Sequence, residues 1–338
     1  MKRRLTWIAV MAVLLATLLC LTAGASAEGA TSGTCGDNLT WTLDENGLLT
    51  ISGTGEMADY TWTERAPWDA NRELINKIAV EDGVTVIGAY AFCESVNLTE
   101  VILPESVSEI RSSAFDSCSG LTEIDLPDGI DCIADHLFGR CTSLANLIIP
   151  QQVTSIEAGA FIKCTSLTEI AIPDSVQDID ISAFADCTGL TEIVLPEDLT
   201  QIREWVFAGC SGLASVTIPS SVTYIGSGAF KECSQLTDVY YPGTIDQWNA
   251  IGIDPEDNSA LINANVHCIR NILTLPADLS TIESEAFANL NEADAVRIPD
   301  GEISIADDAF DADVVIIAPA GSRAIDWAIE HDRDYIEE

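Results

Sequence analysis

Thiols carry the widest chemistry in this chain, since a cysteine can bridge, hold a metal or act as a nucleophile, and spacing decides which. Beyond residue 27 they stand at Cys35, Cys93, Cys118, Cys132, Cys141, Cys164, Cys187, Cys210, Cys233 and Cys268. Six of them, Cys118, Cys141, Cys164, Cys187, Cys210 and Cys233, recur every 23 residues, each three residues after a phenylalanine. A stacked turn needs a column of small, buried, weakly polar side chains, so these six are read as free thiols packed as small hydrophobes. Cys35, Cys93, Cys132 and Cys268 lie off the column, and their spacing assigns no pairing.

The three histidines, His136, His267 and His331, sit far apart. Nothing in their spacing sets a nucleophile beside a base with a third, orienting group. His267 and Cys268 make two ligands where a metal site wants three or four. Gly226-Ser227-Gly228 lacks the strand-turn-helix frame of a nucleophile elbow. Asp254, Glu256 and Asp257 do not follow EF-hand spacing. The chain is therefore read as no enzyme, with no cofactor and no metal; a hydrolase stands third, behind the two readings given below.

The elements that position these residues follow one period. Leucine recurs at Leu98, Leu121, Leu144, Leu167, Leu190, Leu213 and Leu236, and proline at Pro104, Pro127, Pro150, Pro173, Pro196, Pro219 and Pro242. Phenylalanine keeps step at Phe92, Phe115, Phe138, Phe161, Phe184, Phe207 and Phe230. A fixed period of this size means stacked coils that bury their apolar faces against their neighbours. Within one unit, Leu98, Val101 and Leu103 read L-x-x-L-x-L, a short strand that Pro104 ends by removing a backbone donor. Val107 and Ile110 point inward on the return segment, Phe115 is the largest core filler, and Cys118-Ser119-Gly120 turns the chain back. The predicted fold is a leucine-rich repeat solenoid: a parallel β-sheet with short turn or loop return segments and few helices, capped at both ends.

Five segments follow. Residues 1–27 carry a basic start, an apolar run and Ala25-Ser26-Ala27, the pattern of a secretory signal peptide cut after Ala27. Residues 28–74 form an N-terminal β-hairpin cap module, with Asn46-Gly47 as the turn and Trp62 and Trp68 expected to cover the first coil. Residues 75–242 are regular repeats, and 243–268 are read as an irregular insertion. Residues 269–338 hold degenerate repeats and a C-terminal cap helix, with Ser322 as N-cap and Ala324, Trp327 and Ala328 sealing the last coil. Near the break in the solenoid at 243–268, Tyr240, Tyr241 and Trp248 either present rings to a ligand or plug the core.

The whole chain carries 15 basic and 54 acidic residues, and loss of the leader leaves 12 basic against 54 acidic ones, a net charge of −42. Such acidity disfavours nucleic acid, whose phosphates need Lys and Arg. It also disfavours anionic lipid, and after signal cleavage no membrane insertion is expected.

The unit Leu167-Thr168-Glu169-Ile170-Ala171-Ile172-Pro173, continued through Ala183-Phe184 and Cys187, resembles the repeats of BspA-like, treponema-type bacterial surface proteins. The stretch Cys35-Gly36-Asp37-Asn38-Leu39-Thr40-Trp41 is similar to the lead-in module of such proteins, and Ala318-Pro319-Ala320-Gly321-Ser322 to their closing cap. The resemblance implies a secreted, extracellular or cell-surface repeat protein, often an adhesin toward host matrix proteins or other bacteria.

A ligand is expected on the strand face. Its third-position row runs Lys77, Glu100, Glu123, Asn146, Glu169, Glu192, Ser215 and Asp238; its fifth-position row runs Ile102, Asp125, Ile148, Ala171, Val194, Thr217 and Tyr240. The candidate binding residues are Glu100, Ile102, Glu123, Asp125, Ile148, Glu169, Glu192, Val194, Asp238 and Tyr240. Parallel strands about 4.8 Å apart make Glu100 a neighbour of Glu123, and Glu169 of Glu192. Each such pair costs roughly 0.8 kcal/mol in water, which a solenoid tolerates. Two readings result: a monomeric recognition protein binding an extracellular protein or glycan, host or microbial, or a structural envelope module with no specific ligand.

Overall fold

Each 23-residue unit closes into one coil, and most coils carry two strands. The computed structural model describes residues 31–269, 272–287, 295–301, 303–311 and 314–337, so the leader read at 1–27 lies outside the described residues. The leucine-rich segments form a front face with strands Lys77–Val80, Glu100–Ile102, Glu123–Ile124, Asn146–Leu147, Glu192–Val194, Ser215–Thr217 and Asp238–Thr244. The V-x-x-I segments form a second, back ladder: Val84–Ile87, Glu109–Ile110, Cys132–Ile133, Ser155–Ile156, Asp178–Ile179, Gln201–Ile202 and Tyr224–Ile225. Where these strands pair, they are parallel and one coil apart, as Glu192 opposite Ser215 and Cys132 opposite Ser155 show. The second ladder adds very short strands within the expected turn and loop returns. Its strands are mostly two residues long, too short for an alternating pattern to declare itself.

The third side of each coil is a turn around phenylalanine. It holds two left-handed residues four apart, as in Ser113 and Ser117, His136 and Arg140, or Trp205 and Gly209. Left-handed backbone costs a non-glycine residue about 1 kcal/mol or more. It is offset here by main-chain bonds between coils: Phe184 N–H donates to the Val206 carbonyl and Phe207 N–H to that of Ala229, both at 2.9 Å. Glycine occurs where a side chain would collide. A Cβ on Gly228 would strike the Trp205 ring, and one on Gly159 the His136 ring.

Inside, the phenylalanines make one continuous stack from Phe92 to Phe230, with ring centroids 5.2–5.9 Å apart. The cysteine column runs beside it. Cys118 Sγ donates to the Phe92 carbonyl at 3.2 Å, and the five later column thiols repeat that bond one coil on. All ten described cysteines are free. Burial pushes Cys187 and Cys233 up to about 12 and the other column thiols upward as well.

Tryptophans close the stack. Strands Ser32–Gly36, Leu39–Leu43 and Leu48–Gly53 form an antiparallel meander whose last strand pairs in parallel with Lys77–Val80. Trp68 stacks on Phe92, and Trp41 meets Trp68 edge-on at 5.6 Å. Trp62, expected to help cover the first coil, is instead exposed beneath the Arg65 guanidinium; Trp41 takes that place.

The segment expected to be an irregular insertion is a lengthened coil. Helix α1 (Ile245–Ala250) is closed by a capping box between Thr244 and Gln247. Strand Gly252–Ile253 then joins the back ladder against Tyr224–Ile225, helix α2 (Ser259–Asn263) follows, and Asn265–Ile269 pairs with Asp238–Thr244. Tyr241 and Trp248 are buried edge-to-face at 5.4 Å and plug the core, while Tyr240 stays exposed. Asn258, fully buried, accepts from Phe230 N–H at 3.0 Å and donates to the Gly226 and Asp254 carbonyls at 2.8 Å. Its amide stands where a neighbouring coil's carbonyl stands elsewhere.

From Ile272 a second block of coils begins with its own core. Phe287 stacks on Phe310, and Trp327 on helix α3 (Arg323–Glu330) meets Phe310 edge-on at 5.5 Å, so this end is closed like the other. Ser322 caps α3 as expected, and Tyr335–Glu337 adds a last parallel strand beside Val315–Ala318.

Candidate recognition surface

Period-two alternation puts the third and fifth residues of each front strand on one face, with the residue between them in the core. The burial follows: Ile193 is buried between exposed Glu192 and Val194, and Val239 between half-buried Asp238 and exposed Tyr240. Nine of the ten candidate residues are exposed on this face, and Asp238 is half-buried.

They do not form one uniform surface. Glu100 is neutralised by Lys77, Nζ to Oε1 2.6 Å. The front ladder is also interrupted twice, between Glu100–Ile102 and Glu123–Ile124 and around residues 169–171, which join no paired rung. Both places where glutamate faces glutamate, Glu100 with Glu123 and Glu169 with Glu192, fall at these interruptions. Every paired rung of the row carries at most one acid of its two residues: Lys77–Glu100, Glu123–Asn146, Glu192–Ser215, Ser215–Asp238 and Asp238–Asn265. Like charges opposite each other destabilise a pair of strands.

The second interruption opens a hollow of about 670 Å³ across three coils, between Asn146–Ile148 and Glu192–Val194. Ala171 lies between Ile148, 81% exposed, and Val194, 63% exposed, so a short side chain sits between two tall ones. Glu169 and Glu192 stand on the rim, and among the described residues neither side chain has an ion-pair or hydrogen-bond partner.

A second cluster lies on the lengthened coil. His267 Nε2 stands 2.7 Å from Asp238 Oδ1, and its ring stacks on Tyr240 with centroids 4.7 Å apart. The bond from His267, followed by one from Thr237, lowers the Asp238 carboxyl below its ordinary value. Sequence order separates His267 from this pair by a whole coil; only the parallel register reveals it. His136 likewise faces Asp135 at 3.0 Å, and His331 faces Asp307 at 3.3 Å. Among the described residues no group of three or more His, Cys, Asp or Glu is arranged to hold a metal. No described helix is long and apolar enough to cross a membrane.

These features define a parallel leucine-rich repeat solenoid with an exposed, mixed apolar and acidic strand face. The chain belongs to the BspA type leucine rich repeat family, whose profile matches in six copies over residues 70–188, 154–251 and 263–316. Among solved structures it is similar to a leucine rich cell surface protein of Faecalibacterium prausnitzii, at 23% identity over 88% of this chain and 97% of that one, TM-score 0.43. It is similar also to a leucine-rich repeat protein of Bacteroides ovatus, at 18% identity over 89% and 98%, TM-score 0.41. A third is the leucine rich repeat protein of T. pallidum, at 21% identity over 60% and 90%, TM-score 0.37. No curated protein matches.

Proposed function

We propose that this chain is an extracellular recognition protein, secreted or held at a bacterial surface, that binds a protein partner through its strand face. The observation that carries this reading is the fifth-position row, in which exposed Ile102, Ile148, Val194 and Tyr240 alternate with Asp125, Ala171 and Thr217, set beside a largely acidic row. Single exposed apolar residues are ordinary. A row of them on one face, with polar residues alongside, has the composition of a protein contact surface. The net charge of −39 favours a basic partner and speeds its approach. The leader pattern and the family support an extracellular location.

The test is a binding panel of purified matrix proteins, mucins and bacterial glycans, with and without calcium. A saturable, salt-sensitive protein hit supports the reading. A blank panel, with the chain folded and monomeric, favours the envelope-scaffold reading instead.

A further inference from the structure

We propose that the hollow at residues 145–194 is a docking site for an extended basic polypeptide segment that inserts one branched aliphatic side chain over Ala171 between two lysines or arginines. This rests on the strand-face reading and names the partner's chemistry and the site.

Three observations point the same way. The floor and ends are apolar, from Leu147, Ile148, Ala171, Ile172 and Val194, and fit an aliphatic side chain better than a sugar hydroxyl. The rim carries Glu169 and Glu192, unpaired within a chain of net charge −39, so charge complementarity calls for cations. The main chain of 169–171 makes no front-ladder rung, so the strand face is interrupted at the place where the hollow opens. A second copy of this chain would bring more acid to the rim and is disfavoured on charge.

The dimensions agree. Two coil spacings give a notch about 10 Å long, and alternate residues of an extended segment lie about 6.7 Å apart on one face. A Lys-x-Ile-x-Lys segment along the solenoid axis would seat Ile over Ala171. Its lysines would lie about 2 Å beyond Ile148 and Val194 along the axis, just past the ends of the notch, with their ammonium groups reaching sideways to the glutamate row.

The probe is a fluorescent peptide repeating Lys-Thr-Ile-Thr-Lys, compared with one having Ser for Ile and one having Glu for Lys. The full chain is titrated beside I148S/V194S and E169Q/E192Q; these side chains are exposed, and thermal melts confirm the fold of each variant. The Ile peptide is expected to bind saturably, roughly tenfold weaker to I148S/V194S. E169Q/E192Q is expected to weaken it and flatten its salt dependence, and the Glu peptide to fail. Equal binding of the Ser and Ile peptides, or an unchanged I148S/V194S, overturns the proposal. Self-association abolished by I148S/V194S overturns it in favour of a second copy. If the peptide fails while a panel protein's binding depends on Ile102 or Tyr240, the hollow is refuted and the strand-face reading stands. If no strand-face change affects that protein, both fall.

Discussion

Replacing Asn258 by alanine is expected to unzip one end of the first block of coils. In the coils before it, the phenylalanine N–H donates to a carbonyl of the next coil, as Phe207 does to Ala229 at 2.9 Å. At Phe230 that carbonyl is supplied by the Asn258 side chain, at 3.0 Å and with no exposure. The same amide donates to Gly226 and Asp254. Asn258→Ala leaves the Phe230 N–H buried without its acceptor, about 1–3 kcal/mol, and removes two further bonds at about 1 kcal/mol each. The expected loss is about 3–5 kcal/mol. Asn258→Asp keeps an acceptor but turns it toward two carbonyls, and is expected to be at least as damaging. Urea unfolding reads the total. Hydrogen exchange locates it, because coils couple mainly to their neighbours and the opening should centre on 226–269 rather than spread to the Trp41 end. A loss under about 0.5 kcal/mol, or a Phe230 amide no less protected than before, would refute the claim that this side chain replaces a rung.

Further outcomes follow from the column, the turn and the stack. Burial holds Cys187 and Cys233 at about 12, against 9.0 for an ordinary thiol, so the unfolded chain loses these protons first and stability falls as pH rises from about 9 toward 12. Urea midpoints across that range should drop, less steeply in Cys187→Ala/Cys233→Ala; a flat profile contradicts this, and the upward-shifted Tyr60 and Tyr241 add to the slope with the same sign. Gly228→Ala is expected to cost about 1–3 kcal/mol in thermal or urea unfolding, since Gly228 has φ +62° and Trp205 covers it. Adding Trp205→Gly should recover the part due to collision. Phe161→Ala, fully buried between rings at 5.7 and 5.2 Å, is expected to cost about 3–5 kcal/mol by the same measurement.

What could be read from residue order was whatever repeats within one coil. The period placed Leu167, Phe161 and Cys164 in the core, because each depends only on its own coil and an identical neighbour. It also located the exposed rows, since a strand's faces follow by counting. Three things could not be read this way. The back ladder rests on pairs of residues too short to show alternation. The choice of Trp41 over Trp62 as the closing ring depends on how the antiparallel meander folds back. The hollow arises where Glu169 meets Glu192 and where Ala171 is shorter than Ile148 and Val194, differences between neighbouring coils that a shared motif averages away. His267 beside Asp238 and Asn258 beside Phe230 belong to the same class, since both contacts cross the lengthened coil.

The most direct test of the strand face as the recognition surface is a binding isotherm on the panel protein bound most tightly, comparing the native chain with E100Q/E123Q/E169Q/E192Q. Exposed ion pairs of this kind contribute about 0.2–1 kcal/mol each and Glu100 is already paired with Lys77, so the account predicts at least roughly threefold weaker binding and a shallower salt dependence. An unchanged isotherm, or a panel with no saturable hit to compare, would contradict it.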